Sequence, residues 1–184
     1  GGEFISGLPI ALDASQSGVQ HFAAASKDYG DGKLTNLVPG PKPNDLYGAC
    51  LKRAIVILNE KLIADQAEYD ANPLTDADRL SIEKHEAYID DESREPAERK
   101  RARDRFKETQ TGKKKRLLDR IDVYKRTLAY EGYNRSFIKR NAMTFSYSSR
   151  SYGFAEQLRT DIMKPLSRNV RLGELDEHPF GKDR

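Results

Sequence analysis

The stretch RSFIKRNAMTFSY, residues 135–147, carries two cations and then two larger side chains at four-residue intervals. The pattern predicts a helix that begins near Asn134 and covers about 134–148. Arginine binds phosphate oxygens with a planar fork, and lysine adds a mobile point charge, so this face suits a phosphate-rich ligand. Taken alone, the pattern favours a solvated basic edge beside a buried aromatic. These four residues form a row that shifts gradually around the helix: Arg135, Lys139, Met143 and Tyr147.

A second informative stretch, LPIALDASQSG, occupies residues 8–18. The apolar run Leu8 to Leu12 predicts a short buried strand that delivers Asp13 at its C-terminal end. A carboxylate beside small residues could hold a hard divalent cation. Taken alone, Asp13 fits a turn former or a helix cap better than a metal ligand.

The rest of the chain predicts mainly helices. A short helix follows Ser17 and should stop at the turn signal Gly30-Asp-Gly32. Pro39-Gly-Pro41-Lys-Pro43 marks a stiff linker, which we take as the boundary between a segment of residues 1–40 and one of residues 41–184.

Asn44 is expected to cap a long helix whose apolar residues recur at helical spacing from Tyr47 to Leu62. Residues 70–130 are charge-dense and predict two or three solvated helices, punctuated by Pro96 and Gly112. We interpret them as an inserted helical region.

Composition restricts the class of protein only loosely. The 33% of charged residues, the 37% of hydrophobic residues and the mean hydropathy of -0.79 describe a chain with a large charged surface. The net charge of +3 does not by itself indicate a nucleic-acid partner. Cys50 is the only cysteine, so no internal disulfide can form, and no apolar run approaches the length of a membrane span.

The two stretches together resemble motifs A and B of the single-subunit RNA polymerases of bacteriophages and mitochondria. The resemblance to motif A covers LPIALDASQSGVQHF, residues 8–22, and continues to Asp45-Leu-Tyr47-Gly48. The resemblance to motif B covers Arg135 to Phe154. Because two unrelated strings agree in order and spacing, the match is specific. It implies a mostly helical α+β fold: a partial palm and fingers of a right-handed polymerase, with 70–130 enlarging the fingers.

The resemblance also implies roles for individual residues. Asp13 and the backbone carbonyl of Ala14 would hold Mg²⁺ in a two-metal mechanism. Arg135 and Lys139 would bind the triphosphate, with Lys139 able to protonate the departing pyrophosphate, and Arg140 is a further phosphate candidate. Met143 would face the nascent base pair, Tyr147 would pack beneath base and ribose, and Gly18 would leave room for a ribose 2'-hydroxyl. The implied partners are a DNA template, nascent RNA, nucleoside triphosphates and the remainder of the polymerase chain, with no membrane.

The sequence departs from the family pattern in ways that shape these expectations. Ala14, Gln16 and Ser148 stand where Gly, Cys and Gly are common. No His-Asp-Ser string supplies a second metal-binding aspartate. We therefore expect these residues alone to be inactive. The resemblance implies that the complete protein acts in the cytoplasm of an infected bacterium, with a mitochondrion or plastid as the alternative.

Two other readings stay open at this point. A family A DNA polymerase has similar motifs, but it carries Glu at the position of Gly18, where the bulk excludes a 2'-hydroxyl. A non-catalytic helical module could instead bind nucleic acid through Lys113 to Lys115 and the motif B face.

Overall fold

The structure, a computed structural model, describes residues 16–147 and 149–181. Within these ranges every regular element is a helix, which confirms the mostly helical prediction. The strand predicted at Leu8 to Leu12 lies outside the described residues, so the β part of the predicted α+β fold stays a prediction. The helices are α1 (Ser17–Ser26), α2 (Tyr29–Leu34), α3 (Leu46–Ala71), α4 (Asp76–Asp90), α5 (Pro96–Glu108), α6 (Gln110–Ala129), α7 (Arg135–Phe145), α8 (Ser151–Leu158) and α9 (Lys164–Arg171).

The two longest helices, α3 and α6, pack side by side and form what we call the stem. Leu117 and Ile121 of α6 are buried in it. Arg120 pairs with Asp65 at 2.9 Å, and Lys114 reaches the carbonyl of Pro73 at 3.2 Å. Later residues of α6 thus meet earlier residues of α3, so the two helices run antiparallel.

At the far end of the stem, α4 and α5 pack against the beginning of α6 and against each other. We call residues 75–116 the tip. Thr75 and Asp78 form a capping box at the start of α4, and Pro96 occupies the first turn of α5. Thr109 both ends α5 and caps α6. The prediction of two or three helices is confirmed with three, and Pro96 begins α5 as expected. Gly112 lies inside α6, and the break before this helix falls at Thr109.

The other end of the stem carries what we call the base, made of α1, α2, α7 and the first turns of α3. Helix α7 packs across the start of α3. Tyr130 and Tyr133 pack edge-on against Phe137 of α7, with ring centroids 6.5 and 5.0 Å apart, and Tyr130 also contacts Phe180. Helices α1 and α2 pack on each other.

Two local predictions in the base are wrong. Helix α1 ends at Ser26 because Lys27 adopts a left-handed backbone, and Gly30 and Gly32 lie inside α2 instead of in a turn. Gly32 is buried, and a β-carbon there would lie 3.2 Å from a methyl group of Val38, so this glycine serves close packing.

The N-cap residue of α3 is Asp45, not Asn44 as predicted. The side-chain amide of Asn44 donates 2.8 Å to the carbonyl of Lys33, and its backbone N–H donates 2.6 Å to the side chain of Asn36. Asn44 therefore ties the linker back to α2. The long helix itself, with its half-buried apolar face, is confirmed over Leu46–Ala71.

A π-helical turn, Arg159–Met163, joins α8 to α9 without a break. The N–H of Lys164 donates to the carbonyl of Arg159, five residues earlier. Pro165 follows immediately, and its ring would collide with the carbonyl four residues earlier in a regular helix. The wider turn accommodates this proline. Among the described residues, no helix is both long enough and apolar enough to cross a membrane.

Candidate active site

Helix α7 presents its first two cations over a single aromatic ring of the stem. Asn134 caps α7 by accepting a hydrogen bond from the N–H of Ser136 at 2.9 Å. The Arg135 guanidinium lies 4.9 Å from the centroid of the Tyr47 ring, and the Lys139 ammonium lies 5.9 Å from it. Tyr47 is only 7% exposed, so it is a fixed platform. The predicted i, i+4 pair is thus brought together over one face.

Asp45 orients the guanidinium of Arg135. Its Oδ2 accepts a hydrogen bond from Nε of Arg135 at 2.7 Å, across 90 positions of sequence. This bond is the main reason that the pKa of Asp45 is lowered, so the pair is ionised at neutral pH. Because Asp45 uses Nε, the terminal amino groups of Arg135 stay available as a fork, which is the geometry that binds phosphate oxygens. The guanidinium is about half exposed.

Tyr147 lies just beyond the end of α7, where its N–H donates 3.0 Å to the carbonyl of Thr144. The side chain is 65% exposed. Its hydroxyl lies 3.4 Å from the hydroxyl of Ser17, the first residue of α1. The two stretches that the sequence singled out therefore meet, although the two contacting residues are 130 positions apart.

Gly18 sits directly against this junction. A β-carbon at Gly18 would lie 2.3 Å from Oγ and 2.6 Å from the β-carbon of Ser146, with Tyr147 at 3.8 Å. Any side chain would push the end of α7 away from α1, since real β-carbons essentially never approach so closely. The space beside this glycine is filled by Ser146, so its role beside a 2'-hydroxyl stays a prediction.

The residue before α1 is strained and buried. Gln16 has a left-handed backbone, with φ 65° and ψ 43°, and is 8% exposed. Among the described residues, neither polar atom of its side-chain amide has a hydrogen-bond partner. Such a backbone costs a non-glycine residue about 1 kcal/mol or more.

The predicted metal ligands Asp13 and Ala14 lie outside the described residues. Within residues 16–147 and 149–181, no three His, Cys, Asp or Glu side chains come close enough to hold a metal ion. The structure therefore leaves the predicted metal site untested.

The Arg140 side chain faces the C-terminal helices. Its guanidinium pairs with Asp161 in the π-helical turn. Both residues line a cavity of about 320 Å³ between α7 and the C-terminal helices. A phosphate role for Arg140 stays a prediction, and it would require Arg140 to leave Asp161. Met143 remains on α7, 41% exposed.

Sequence reasoning did not assign a role to Asp45 or Tyr47. Both stand in the string Asp45-Leu-Tyr47-Gly48, which belongs to the resemblance noted above. The signal was present, but nothing in the sequence says that Arg135 reaches this string. That contact depends on how α7 crosses the stem.

Comparison with known proteins identifies the class to which this arrangement belongs. A family model described as DNA-dependent RNA polymerase matches residues 1–178. The chain belongs to this family. The family match does not favour the DNA polymerase reading or the non-catalytic module.

The chain is 30% identical to the T7 RNA polymerase of Escherichia phage T7 and 28% identical to the DNA-directed RNA polymerase of Enterobacteria phage T3, each over 158 residues. Each match covers 86% of this chain and 14% of the relative, so the chain spans only a small part of their length. The mitochondrial DNA-directed RNA polymerase of Neurospora crassa is 38% identical over 63 residues, which is 34% of this chain and 4% of that protein. No solved structure matches the chain significantly.

Proposed function

We propose that the complete protein is a DNA-directed RNA polymerase, and that this chain carries the part that grips the incoming ribonucleoside triphosphate. The single observation that supports this most is the meeting of α7 and α1, through Tyr147 with Ser17 and through Ser146 with Gly18. The cationic face of α7 and the stretch after Asp13 would then share one cleft.

Arg135 and Lys139 bind the triphosphate in this proposal. Arg135 is held by Asp45 at Nε and offers its two terminal amino groups to phosphate oxygens. Lys139 is exposed and forms no ion pair among the described residues. It can follow the charge that develops on pyrophosphate as the bond to the α-phosphate breaks, and donate a proton to it. Tyr47 keeps both cations on one side of the stem.

Asp13 and the carbonyl of Ala14 would hold Mg²⁺, because a carboxylate and a backbone carbonyl are oxygen donors of the kind that this ion takes. The bound ion would supply activation of the RNA 3'-hydroxyl and charge neutralisation of the triphosphate. Gln16 follows these residues and turns the chain sharply into α1.

Tyr147 and Met143 define the nucleotide side of the site, with Tyr147 beneath base and ribose and Met143 at the nascent pair. Gly18 acts through its contact with Ser146: a larger residue there would displace Tyr147 and so reshape the ribose pocket. Ribonucleotide selection is therefore assigned to the junction of α1 and α7.

The partners in this proposal are a DNA template, the nascent RNA and the remainder of the polymerase chain. The phage relatives support action in the cytoplasm of an infected bacterium. The mitochondrial and plastid relatives keep an organelle as the alternative.

The deciding experiment measures RNA extension on a primed DNA template by the complete protein. Lys139→Ala should lower kcat/KM for the nucleoside triphosphate by about a hundredfold or more, since a group that stabilises developing charge is removed. The matched control is Lys52→Ala, which removes an exposed lysine from α3. Equal activity of the two variants, or no extension by the unmodified protein, would refute the proposal.

A further inference from the structure

The tip separates its charges. Residues 76–95 contain eight acidic and three basic residues, whereas residues 99–116 contain ten basic and two acidic residues. The acidic part forms α4 and the loop after it, and the basic part forms α5 and the first two turns of α6. The part of the tip that consists of α5 and the first turns of α6, which we call its cationic side, is therefore strongly basic, although the whole chain carries a net charge of only +3.

Four acidic groups near this cationic side already have partners. Asp78 accepts hydrogen bonds from Thr111 and Lys114, at 2.5 and 3.1 Å. Lys115 lies 3.3 Å from both Glu86 and Asp119. Asp104 pairs with Lys107 at 3.3 Å. Of the remaining seven cations, Arg99 is half-buried and donates 3.4 Å to the carbonyl of Ile89. The other six are exposed and have no ion pair among the described residues: Lys100, Arg101, Arg103, Arg105, Lys113 and Arg116.

The stem sets the distance between this cationic side and the nucleotide site. Helix α6 has 20 residues, which at 1.5 Å per residue corresponds to about 30 Å. Its first turns belong to the tip, and α7 follows soon after its last turn. At 3.4 Å per base pair, 30 Å corresponds to about nine base pairs of a duplex.

We propose that the cationic side of the tip binds the sugar-phosphate backbone of the template duplex ahead of the nucleotide site, about nine base pairs away. This inference rests on the proposed function. The incoming nucleotide pairs with the first unread template base, so the unread duplex begins where the stem meets α7. A rigid helical arm of this length then reaches along that duplex.

The chemistry of the surface favours a duplex backbone over an acidic protein partner. Four of the six exposed cations without an ion pair are arginines, whose forks match phosphate oxygens. Arg101 and Arg105 stand one helical turn apart on α5, so they can contact successive points along a strand. Such contacts hold the duplex in place without reading its sequence.

The experiment uses the complete polymerase in stalled elongation complexes with about five or about fifteen base pairs of duplex ahead of the RNA end, lengths that fall on either side of the calculated reach. The variant is Lys100→Gln with Arg101→Gln. The matched control is Arg79→Gln with Lys84→Gln, which removes one exposed arginine and one exposed lysine from the acidic helix of the same tip.

On the long duplex, the variant should dissociate about three- to tenfold faster than the control at moderate salt, and its salt dependence should fall by roughly two in the log–log slope. On the short duplex, the two proteins should dissociate equally, and single-nucleotide addition should be unchanged. Equal effects on both lengths, or equal behaviour of variant and control, would overturn the inference.

Binding of the duplex alone, followed by fluorescence anisotropy, separates this inference from the proposed function. If the unmodified protein extends no RNA, the proposed function fails. Weaker duplex binding by the variant than by the control would still support duplex binding by the cationic side of the tip. A variant that binds duplex normally but loses binding to an acidic peptide would refute the duplex assignment.

Discussion

The tip and the base each contain an aspartate at a helix start that pairs with a cation from a later helix, but the two are built differently. In the tip, Asp78 accepts hydrogen bonds from Thr75, Thr111 and Lys114, and its side chain is 15% exposed. In the base, Asp45 has Arg135 as its side-chain partner and is 45% exposed. Asp78 is fully used within the fold, whereas the pair at Asp45 leaves half of the guanidinium open to solvent.

This difference indicates that the Asp78–Lys114 pair stabilises the fold, whereas the Asp45–Arg135 pair positions a group for a ligand. A carboxylate that accepts hydrogen bonds from the start of its own helix and from two residues of α6 fixes these two segments relative to one another. An exposed single pair contributes little stability, because solvent screens it. The Asp45–Arg135 pair instead fixes the direction of a guanidinium whose remaining donors face outward.

The largest effect on stability is expected from Gly112→Ala in the tip. A β-carbon there would lie 1.9 Å from the carbonyl oxygen of Phe106, so the turn between α5 and α6 would have to open. We expect a loss of about 2 kcal/mol or more in the free energy of unfolding, measured by urea denaturation. Gly40→Ala is the control, since its nearest contact would be 3.6 Å. Equal stability of the two variants would contradict the account of the tip.

The next largest effect is expected from Asp78→Asn. This change removes the negative charge and places an amide N–H group where Thr75, Thr111 and Lys114 donate hydrogen bonds. We expect the melting temperature to fall by several degrees, compared with little change for Asp45→Asn, in thermal unfolding followed by circular dichroism. If Asp45→Asn lowered it more, the roles assigned to the two ends would be reversed.

The same pair of variants sharpens the comparison by its pH dependence. Hydrogen bonds, led by that from Thr111, hold the pKa of Asp78 well below its usual range. A lowered folded-state pKa stabilises the fold above the unfolded pKa of about 3.9, and this contribution is lost as pH falls through the folded value. The stability gap between the unmodified protein and Asp78→Asn should therefore shrink below about pH 4. A constant gap down to pH 2 would contradict this.

A smaller effect, on substrate binding, is expected from Asp45. Asp45→Ala frees Nε of Arg135, so we expect KM for the nucleoside triphosphate to rise about three- to tenfold in the complete polymerase, with kcat changed less. Asp45→Asn keeps an acceptor for Nε and should raise KM less. A lower KM in either variant would mean that Asp45 competes with the triphosphate for Arg135.

The smallest effect is expected from Ser17→Ala. The 3.4 Å contact between the Ser17 and Tyr147 hydroxyls is long and exposed, so its loss should change the free energy of unfolding by less than about 0.5 kcal/mol. The measurement is again urea denaturation, with Ser26→Ala, at the end of the same helix, as the comparison. A larger loss would show that this hydroxyl pair holds α1 on α7.

The sequence predicted helices where apolar or cationic residues recur at regular spacing, as in α3 and α7, and in the charge-dense stretch that forms α4 to α6. It was wrong at Gly30, Gly32 and Asn44, where tertiary packing and a contact to Lys33 override the local preference of these residue types. It could not assign a role to Asp45. The partner of this carboxylate, Arg135, lies 90 positions away in sequence, and the contact depends on how two helices cross. The same holds for Arg140, because its partner Asp161 lies in a π-helical turn that the periodicity of the sequence does not predict.

The π-helical turn at Arg159–Met163 adds one residue to an otherwise continuous helix. The wider turn takes up the extra residue, so deleting one residue here would restore a regular helix and leave α9, including Arg168 and Arg171, facing nearly the same way relative to α8. Relatives with and without this extra residue would align with a single-position gap in the middle of a helix. Such a gap would mark a change in the width of one helical turn, with the C-terminal arginines kept in place, and not a break in the fold.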